Sequence, residues 1–579
     1  MKLYSKFIYA ALAVSLFASG CTKNFADLNT NPESISEVDP QTLFYSSQTK
    51  VMTSGYLWND VYASKLRWMQ YTSNIWGYST TNFSYFSSSI GDELYRNYND
   101  MGSYTKNIAY AAKLSNQEDK YAGIIQMSRI LLIAKGIQTA DIYGSLAYSD
   151  AWRAREGDQN PDALTPKFES QEQLYTTWDS ELKTAIEKLK AIPAGGYDVA
   201  AYDRAFKGNI SAWIKSANAL RLRVALRLWN RIPSKAKEIA AEVLSANNAN
   251  FVPSTIDDSF VLWFPNDYTV LNGGDWHSIY DMDCASAPFM NYLKKYNDPR
   301  KGIFFLPNNL TPENIKAYNA QSNDKKVGYI DASGNVTDAS RNISATMTRW
   351  EGGTVSFDRR NYDEPYLART LAGSTSTNMR AMNYPQTKVW KGVGYDGKGS
   401  GGNFAPILTY ADFCFMAAEF VLRENVASAH SAKDWYTNGV TASLKQWDKF
   451  GDYSRVDNYV KLTDNQITDF VNQSGVSWDP SKGLEQIYAQ AFVEHFKNTN
   501  EAWAQWKRTG YPSQTSTIIT WDKVLINKQE QRVPRKVKFG YPTVGTNNYE
   551  NQKIRLDEMA KYPEFLSVDN EFGKLWSEK

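Results

Sequence analysis

His277, His430 and His495 are the only histidines, and Cys21, Cys284 and Cys414 the only cysteines, among 579 residues. A cluster zinc site needs several such ligands at close spacing, yet no histidine here has a second histidine or a cysteine within a helical turn. One histidine could serve a nucleophilic triad, but neither a G-x-S-x-G elbow nor a C-x-x-C pair accompanies it. Gly392-Val393-Gly394-Tyr395-Asp396-Gly397-Lys398-Gly399 nearly matches a phosphate loop. Gly399 stands where Ser or Thr would hold magnesium, and Ser400-Gly401-Gly402-Asn403 opens no helix to face a phosphate, so a surface loop is the reading. Asp281 and Asp283 are paired carboxylates that would share one face of a strand about 6.5 Å apart. Nothing in the sequence around them splits their pKa values as a glycosidase requires, which leaves a glycoside hydrolase as the lesser alternative. No metal, no cofactor and no enzymatic activity are expected.

Aromatic rings are what the chain has in excess: 18 Trp, 37 Tyr and 26 Phe, 14% of all residues. A sugar ring has an apolar face of C–H groups and a belt of hydroxyls, so its receptors combine flat aromatic platforms with a few planar hydrogen-bonding side chains. Trp58 to Phe86 fits that recipe, with Trp58, Asp60, Arg67, Trp76, Tyr78 and Asn82 among few aliphatics. Two further polar-aromatic clusters are Trp276 with Asp281, Asp283 and Cys284, and Arg349-Trp350-Glu351. Aromatic packing in a core is the alternative for each ring.

These residues need a scaffold, and the composition describes one. The 64 Lys+Arg nearly balance 62 Asp+Glu, which excludes a polybasic nucleic-acid binder. Lys2 and Lys6, the apolar run Phe7 to Phe17 and the small residues Ala18-Ser19-Gly20 form a secretory signal peptide over 1–20. The run is shorter than the about twenty residues that span a bilayer. Cys21 directly after it resembles a lipobox cysteine, so lipidation of Cys21 and a surface tether are expected. Removal of 1–20 leaves 62 basic against 62 acidic residues, a formally neutral mature chain. Cys414, inside the apolar run Tyr410–Leu422, reads as a buried thiol, and Cys284 as a loop residue.

Helical periodicity predicts helices over Ile124–Ile142, Gln171–Leu189, Ile210–Ile232, Lys235–Leu244, Leu408–Leu422, Asp434–Phe450 and Leu484–Lys497. In the third, Ile210, Trp213, Ile214, Ala217, Leu220, Val224 and Leu228 form an apolar stripe, with Lys215, Arg221, Arg223, Arg227 and Arg231 mostly off it. That cationic ladder is read as a solvated or salt-bridged face rather than a phosphate site. From about 250 to 405 Gly, Asn, Asp and Ser dominate. The expected architecture is mainly α, an α-solenoid of tetratricopeptide-like helix pairs. One domain covers 21–579, with helical scaffold at about 105–250 and 405–510, a large loop-rich insertion at about 250–405 forming the ligand face, and an irregular region over 510–579.

Several segments coincide with one family. They are Cys21-Thr22-Lys23-Asn24-Phe25 through Asn29-Thr30-Asn31-Pro32, Ala140-Asp141-Ile142-Tyr143-Gly144, Thr165-Pro166-Lys167-Phe168, Ser216-Ala217-Asn218-Ala219-Leu220-Arg221, and Asn297-Asp298-Pro299-Arg300. Ala417-Ala418-Glu419, Glu501-Ala502-Trp503, Trp506-Lys507-Arg508-Thr509-Gly510-Tyr511-Pro512 and Val533-Pro534-Arg535 follow in the C-terminal half. In this order the chain resembles a SusD/RagB-like surface lipoprotein of the Bacteroidetes. The resemblance implies four tetratricopeptide-like helix pairs, display on the outer membrane through lipidated Cys21, and a SusC-like TonB-dependent transporter as partner. It also implies that Asp60, Arg67, Trp76 or Tyr78, and Asn82 contact an oligosaccharide ligand, with peptide cargo as the alternative. Trp76→Ala and Arg67→Ala are then expected to abolish glycan retention in affinity electrophoresis while the fold survives.

Overall fold

The computed structural model describes residues 39–74, 90–154, 160–193, 198–265, 283–308, 349–356, 382–391 and 401–578. Helix α1 is Pro40–Thr49, and α2 is a continuous run of Ser54–Tyr56, a π-type stretch Leu57–Lys65, and Leu66–Trp68. Then come β1 (Thr72–Asn74), α3 (Asp92–Leu114), α4 (Glu118–Tyr143), α5 (Gln171–Lys190), α6 (Ile210–Leu228), α7 (Pro233–Leu244), β2 (Phe260–Phe264), β3 (Asp283–Ala285) and α8 (Ala287–Lys295). The C-terminal part holds β4 (Asn403–Leu408), α9 (Tyr410–Glu424), α10 (Ala432–Ser454), α11 (Asp464–Asn472), α12 (Gly483–Glu494), α13 (Thr499–Thr509), β5 (Leu525–Ile526), β6 (Gln529–Glu530) and α14 (Tyr549–Met559).

Helices pack on their neighbours in sequence, α3 on α4, α4 on α5, α5 on α6 and α6 on α7, and the series resumes with α9 on α6, α7, α10 and α12. This is a solenoid of paired helices, mainly α as expected. Local chemistry sets the helix starts. Ser170, Ser431 and Thr463 each accept from the backbone three residues on, while Gln173, Asp434 and Gln466 return the bond as capping boxes. The seven predicted helices all exist. Helix α6 stops at Leu228 rather than Ile232 because Pro233 opens α7, and a residue before proline is pushed out of helical backbone.

The arginine ladder of α6 lies inside the protein. Residues Ala212 to Leu228 are buried nearly all round except Lys215, so its cations must be paired. Arg227 grips Asp141 of α4 through two bonds at 3.0 and 2.9 Å, and also Glu501 of α13 at 2.8 Å. Arg223 reaches Asp412 of α9 at 2.6 Å, and His495 meets the other oxygen of that carboxylate at 2.6 Å. Arg221 pairs with Asp179 of α5 at 2.7 Å. Burial pushes the Asp412 carboxyl upward, but His495 and Arg223 outweigh it and hold the group below the ordinary carboxylate range. Of the salt-bridged and solvated readings of this ladder, the first is the one found.

Two antiparallel ribbons tie the loop-rich part to the solenoid. Strand β2 pairs with β4 and β1 with β3. Cys414 is a buried thiol as expected, whereas Cys284 is buried within β3 rather than in a loop, and the two form no disulfide with each other. No helix among the described residues is long and apolar enough to cross a membrane.

Glu494, at the end of α12, is buried and makes no ion pair among the described residues, with Arg300 acting on it only at longer range. It accepts from Thr409 at 2.6 Å, Ser443 at 2.5 Å and Trp447 Nε1 at 3.0 Å. Burial raises its pKa to about 7 against those hydrogen bonds. The native state therefore holds the proton more tightly than the unfolded chain. The stability linked to this group is fully present below the unfolded pKa and is lost as pH rises through about 7. Glu494→Gln is expected to stabilise the protein by about 2–3 kcal/mol above pH ~7.5, with the advantage vanishing near pH ~4.5. Urea unfolding across that range checks it, and a pH-independent difference would contradict it.

Candidate functional site

The residues singled out for ligand binding fall into three groups once placed. Asp283, Cys284 and Arg67 form the first. The β1–β3 register sets Asn74 opposite Asp283, Ser73 opposite Cys284 and Thr72 opposite Ala285. Arg67, at the end of α2, closes the pair. Its Nε donates to Asp283 Oδ1 and Oδ2 at 3.0 and 3.3 Å, and an Nη lies 2.8 Å from Oδ1. The Thr72 hydroxyl adds a bond of 2.8 Å to Oδ2. Asp283 is fully buried and Arg67 nearly so, so this is an internal clasp between segments far apart in sequence.

Arg349 and Trp350 join the same place. Gly353 donates to Ala285 at 2.7 Å and accepts from Ala287 at 2.7 Å, and the Ser73 hydroxyl donates to Thr354 at 2.6 Å. A Cβ on Gly352 would lie 2.3 Å from the Ser286 carbonyl oxygen, so only glycine lets the two backbones come this close. The Arg349 carbonyl accepts from Asn308 at 3.0 Å and from Asn383 Nδ2 at 3.1 Å, while its side chain reaches solvent. Trp350 is half-buried, and Lys301 Nζ stands 4.9 Å from its ring centroid. Burial lowers the Lys301 pKa, opposed by Asp298 and reinforced by Lys294. Lys294 in turn pairs with Glu351 at 3.3 Å. Beside them opens a hollow of about 560 Å³ whose walls include Tyr296, Lys301, Tyr459 and Phe470. None of those four was picked out from the sequence. Lys301 directly follows the Asn297-Asp298-Pro299-Arg300 turn, which was legible only as a structural motif.

Asp60 and Trp58 lie elsewhere. Asp60 is fully buried, accepts from Gly91 N at 2.9 Å and pairs with Lys65 at 3.5 Å. Burial raises its pKa against the pull of Lys65. Trp58 is partly buried against the core. Of the two readings left open for the rings of Trp58 to Phe86, ligand platforms or core packing, the described part up to Asn74 shows core packing. Val61, Tyr62, Leu66, Trp68 and Tyr71 are all in the core, where large rings supply the area that aliphatics would. Trp76, Tyr78, Asn82 and Trp276, with Asp281, lie outside the described residues. In sequence Trp76 comes two residues after Asn74 and Trp276 seven before Asp283, so the clasp brings together the ends of the two segments that carry them.

A family model described as "Starch-binding associating with outer membrane" matches residues 32–540. The chain belongs to the SusD-like family. No curated protein matches it. Among solved structures, a chitin-binding protein is 20% identical with a TM-score of 0.67, over 93% of this chain and all of that one. A chitin-binding SusD homologue from Flavobacterium johnsoniae is 20% identical with a TM-score of 0.60, over 92% of this chain and 97% of that one. A SusD homologue from Bacteroides thetaiotaomicron is 19% identical with a TM-score of 0.61, over 94% and 99%. At these identities the likeness concerns the fold.

In this SusD-like chain the buried Arg67–Asp283 pair adds a stability cost to Arg67→Ala beside any loss of ligand. Arg67→Ala leaves Asp283 buried with only the Thr72 hydroxyl among the described residues and is expected to cost about 3–5 kcal/mol. The double variant Arg67→Met/Asp283→Leu should recover most of that loss in urea unfolding. Additive losses would show that the two side chains do not act as a pair.

Proposed function

We propose that this protein is a cell-surface lipoprotein, tethered through Cys21, that captures oligosaccharide and passes it to a TonB-dependent transporter of the outer membrane. Membership of a family described as starch-binding and associated with the outer membrane supports the location and the ligand class. Two structural relatives named as chitin-binding support a glycan rather than a peptide. The observation that carries the reading is the clasp of Arg67 on Asp283. It draws the flanks of three aromatic-rich segments to one face beside the half-buried Trp350 and its Lys301 neighbour.

On this reading the candidates divide by role. Arg67, Asp283 and Cys284 position the face from inside, as Asp60 does for α2. Trp350 and Arg349, together with Trp76, Tyr78, Asn82 and Trp276 as the sequence reading has them, meet the ligand by ring stacking and planar hydrogen bonds. A formally neutral mature chain suits an uncharged glycan. Retention without turnover belongs to this reading, with binding built from several modest contacts.

Affinity electrophoresis of the mature protein against starch, chitin-derived and other neutral polysaccharides is the test. At least one should retard the wild type, and Trp350→Ala should weaken that retention about tenfold, as expected for loss of one aromatic platform, with an unchanged melting transition. Release of reducing sugar, or binding of peptides with no polysaccharide retained, would contradict the proposal.

A further inference from the structure

A second concavity, of about 920 Å³, lies between the first turn of α5 and the C-terminal segment around α14, and it shares no lining residue with the hollow beside Lys301. That size suits a small ligand. Charges on its walls balance, with Arg555, Lys561 and Lys574 against Glu169, Glu172 and Glu558. Their hydrogen-bonding capacity is unevenly used. Glu169 is occupied by the Ser149 amide at 2.8 Å and hydroxyl at 2.9 Å. The side chains of Glu172, Thr177 and Glu558 make no hydrogen bond among the described residues. Arg555 stacks over Phe168 and Phe539 at 4.8 and 5.3 Å, yet among the described residues its only hydrogen bond is a long one, 3.5 Å, to the Ser145 carbonyl. Its Nε is buried with no partner. A guanidinium at the wall of a groove with no carboxylate in ion-pair range among the described residues is a set of donors open to a ligand.

Rings edge the same groove. Tyr562 is 39% exposed, Trp576 is half-buried, and Phe565 is buried between them in the lining. The turn carrying Tyr562 and Phe565 ends at Leu566, which is 56% exposed with φ at +66° and ψ at −88°. The positive φ strains this turn, although Leu566 itself is not among the residues that line the groove.

We infer that this groove is a second carbohydrate subsite, taking a short uncharged oligosaccharide that stacks on Tyr562 and Trp576 and spends its hydroxyls on Glu172, Thr177, Glu558 and Arg555. The balanced wall charge disfavours polyanions, and the mixture of free acceptors and donors beside open rings matches a polyhydroxylated ligand. A second subsite held on the same rigid solenoid would retain a long chain that engages both, by raising the effective concentration at each. The inference rests on the glycan reading proposed above.

Calorimetric titration of the mature protein with maltoheptaose and with chitohexaose, for wild type, Trp350→Ala, the pair Glu172→Ala/Tyr562→Ala and the triple variant, tests it. The expected result is two sites in the wild type and one remaining in Trp350→Ala. The groove pair should weaken the second site about tenfold, and the triple variant should bind neither saccharide measurably. Glu172 and Tyr562 are exposed, so their loss should leave the melting transition in place. One site in the wild type, removed by Trp350→Ala and unaffected by the groove pair, overturns the second subsite alone. Binding of neither saccharide by the wild type removes the groove claim together with the glycan reading.

Discussion

Everything in the solenoid turns on burying a row of arginines. Helix α6 carries Arg221, Arg223 and Arg227 into the interior, and each must find carboxylates there because an unpaired buried charge costs several kcal/mol. The partners come from α4, α5, α7, α9 and α13, so one helix is bonded to five others. Hydrophobic packing alone would let such helices slide or rotate by small amounts. A bidentate Arg227–Asp141 pair that also shares Glu501 with Arg223 does not. A second centre repeats the device at the C-terminal end of α13, where Arg508 and Arg423 converge on Glu419.

Rigidity of that kind gives the loop-rich part something to be fixed to. Arg300 pairs with Asp298 and also reaches Ser443 of α10 and Gln490 of α12, which seats the turn before Lys301 on the solenoid. From there the chain of positioning is short: the turn places Lys301, Lys301 faces Trp350, and Trp350 sits on a segment stitched by backbone bonds to β3. The Arg67–Asp283 clasp completes it from the N-terminal side. Buried charge thus does the same job twice, first for the helices and then for the face proposed to hold ligand.

Much of the scaffold was legible in the sequence because its helices obey a 3.6-residue pattern with recognisable caps. Gln171–Lys190 follows a Ser170 cap, and Gly510 at φ +76° ends α13 just before Pro512. Helix α3 was not legible, since its inward face mixes Asn97, Gly102 and Thr105 with Leu94, Met101 and Ile108. Gly102 is required there because the Trp152 ring occupies the space of a side chain. Helix α2 escaped for a different reason: its π-type bonding alters the side-chain period that a pattern search assumes. For the site, residue types singled out Arg67, Asp283 and Trp350 in three separate clusters, and their adjacency emerges only from the β1–β3 pairing and the contacts of Gly353 and Thr354. What composition cannot give is depth. A polar residue among aromatics reads alike whether it faces a sugar or an internal partner 216 positions away.

The face organised by the Arg67–Asp283 clasp is proposed to hold an oligosaccharide. A crystal structure of the mature protein grown with fragments of whichever polysaccharide retards it would test this most directly. Saccharide stacked on rings at that face, with Trp350 in contact and the clasp intact beneath it, is the predicted result. Saccharide bound only at other surfaces, leaving Trp350 and the residues flanking β1 and β3 untouched, would contradict it.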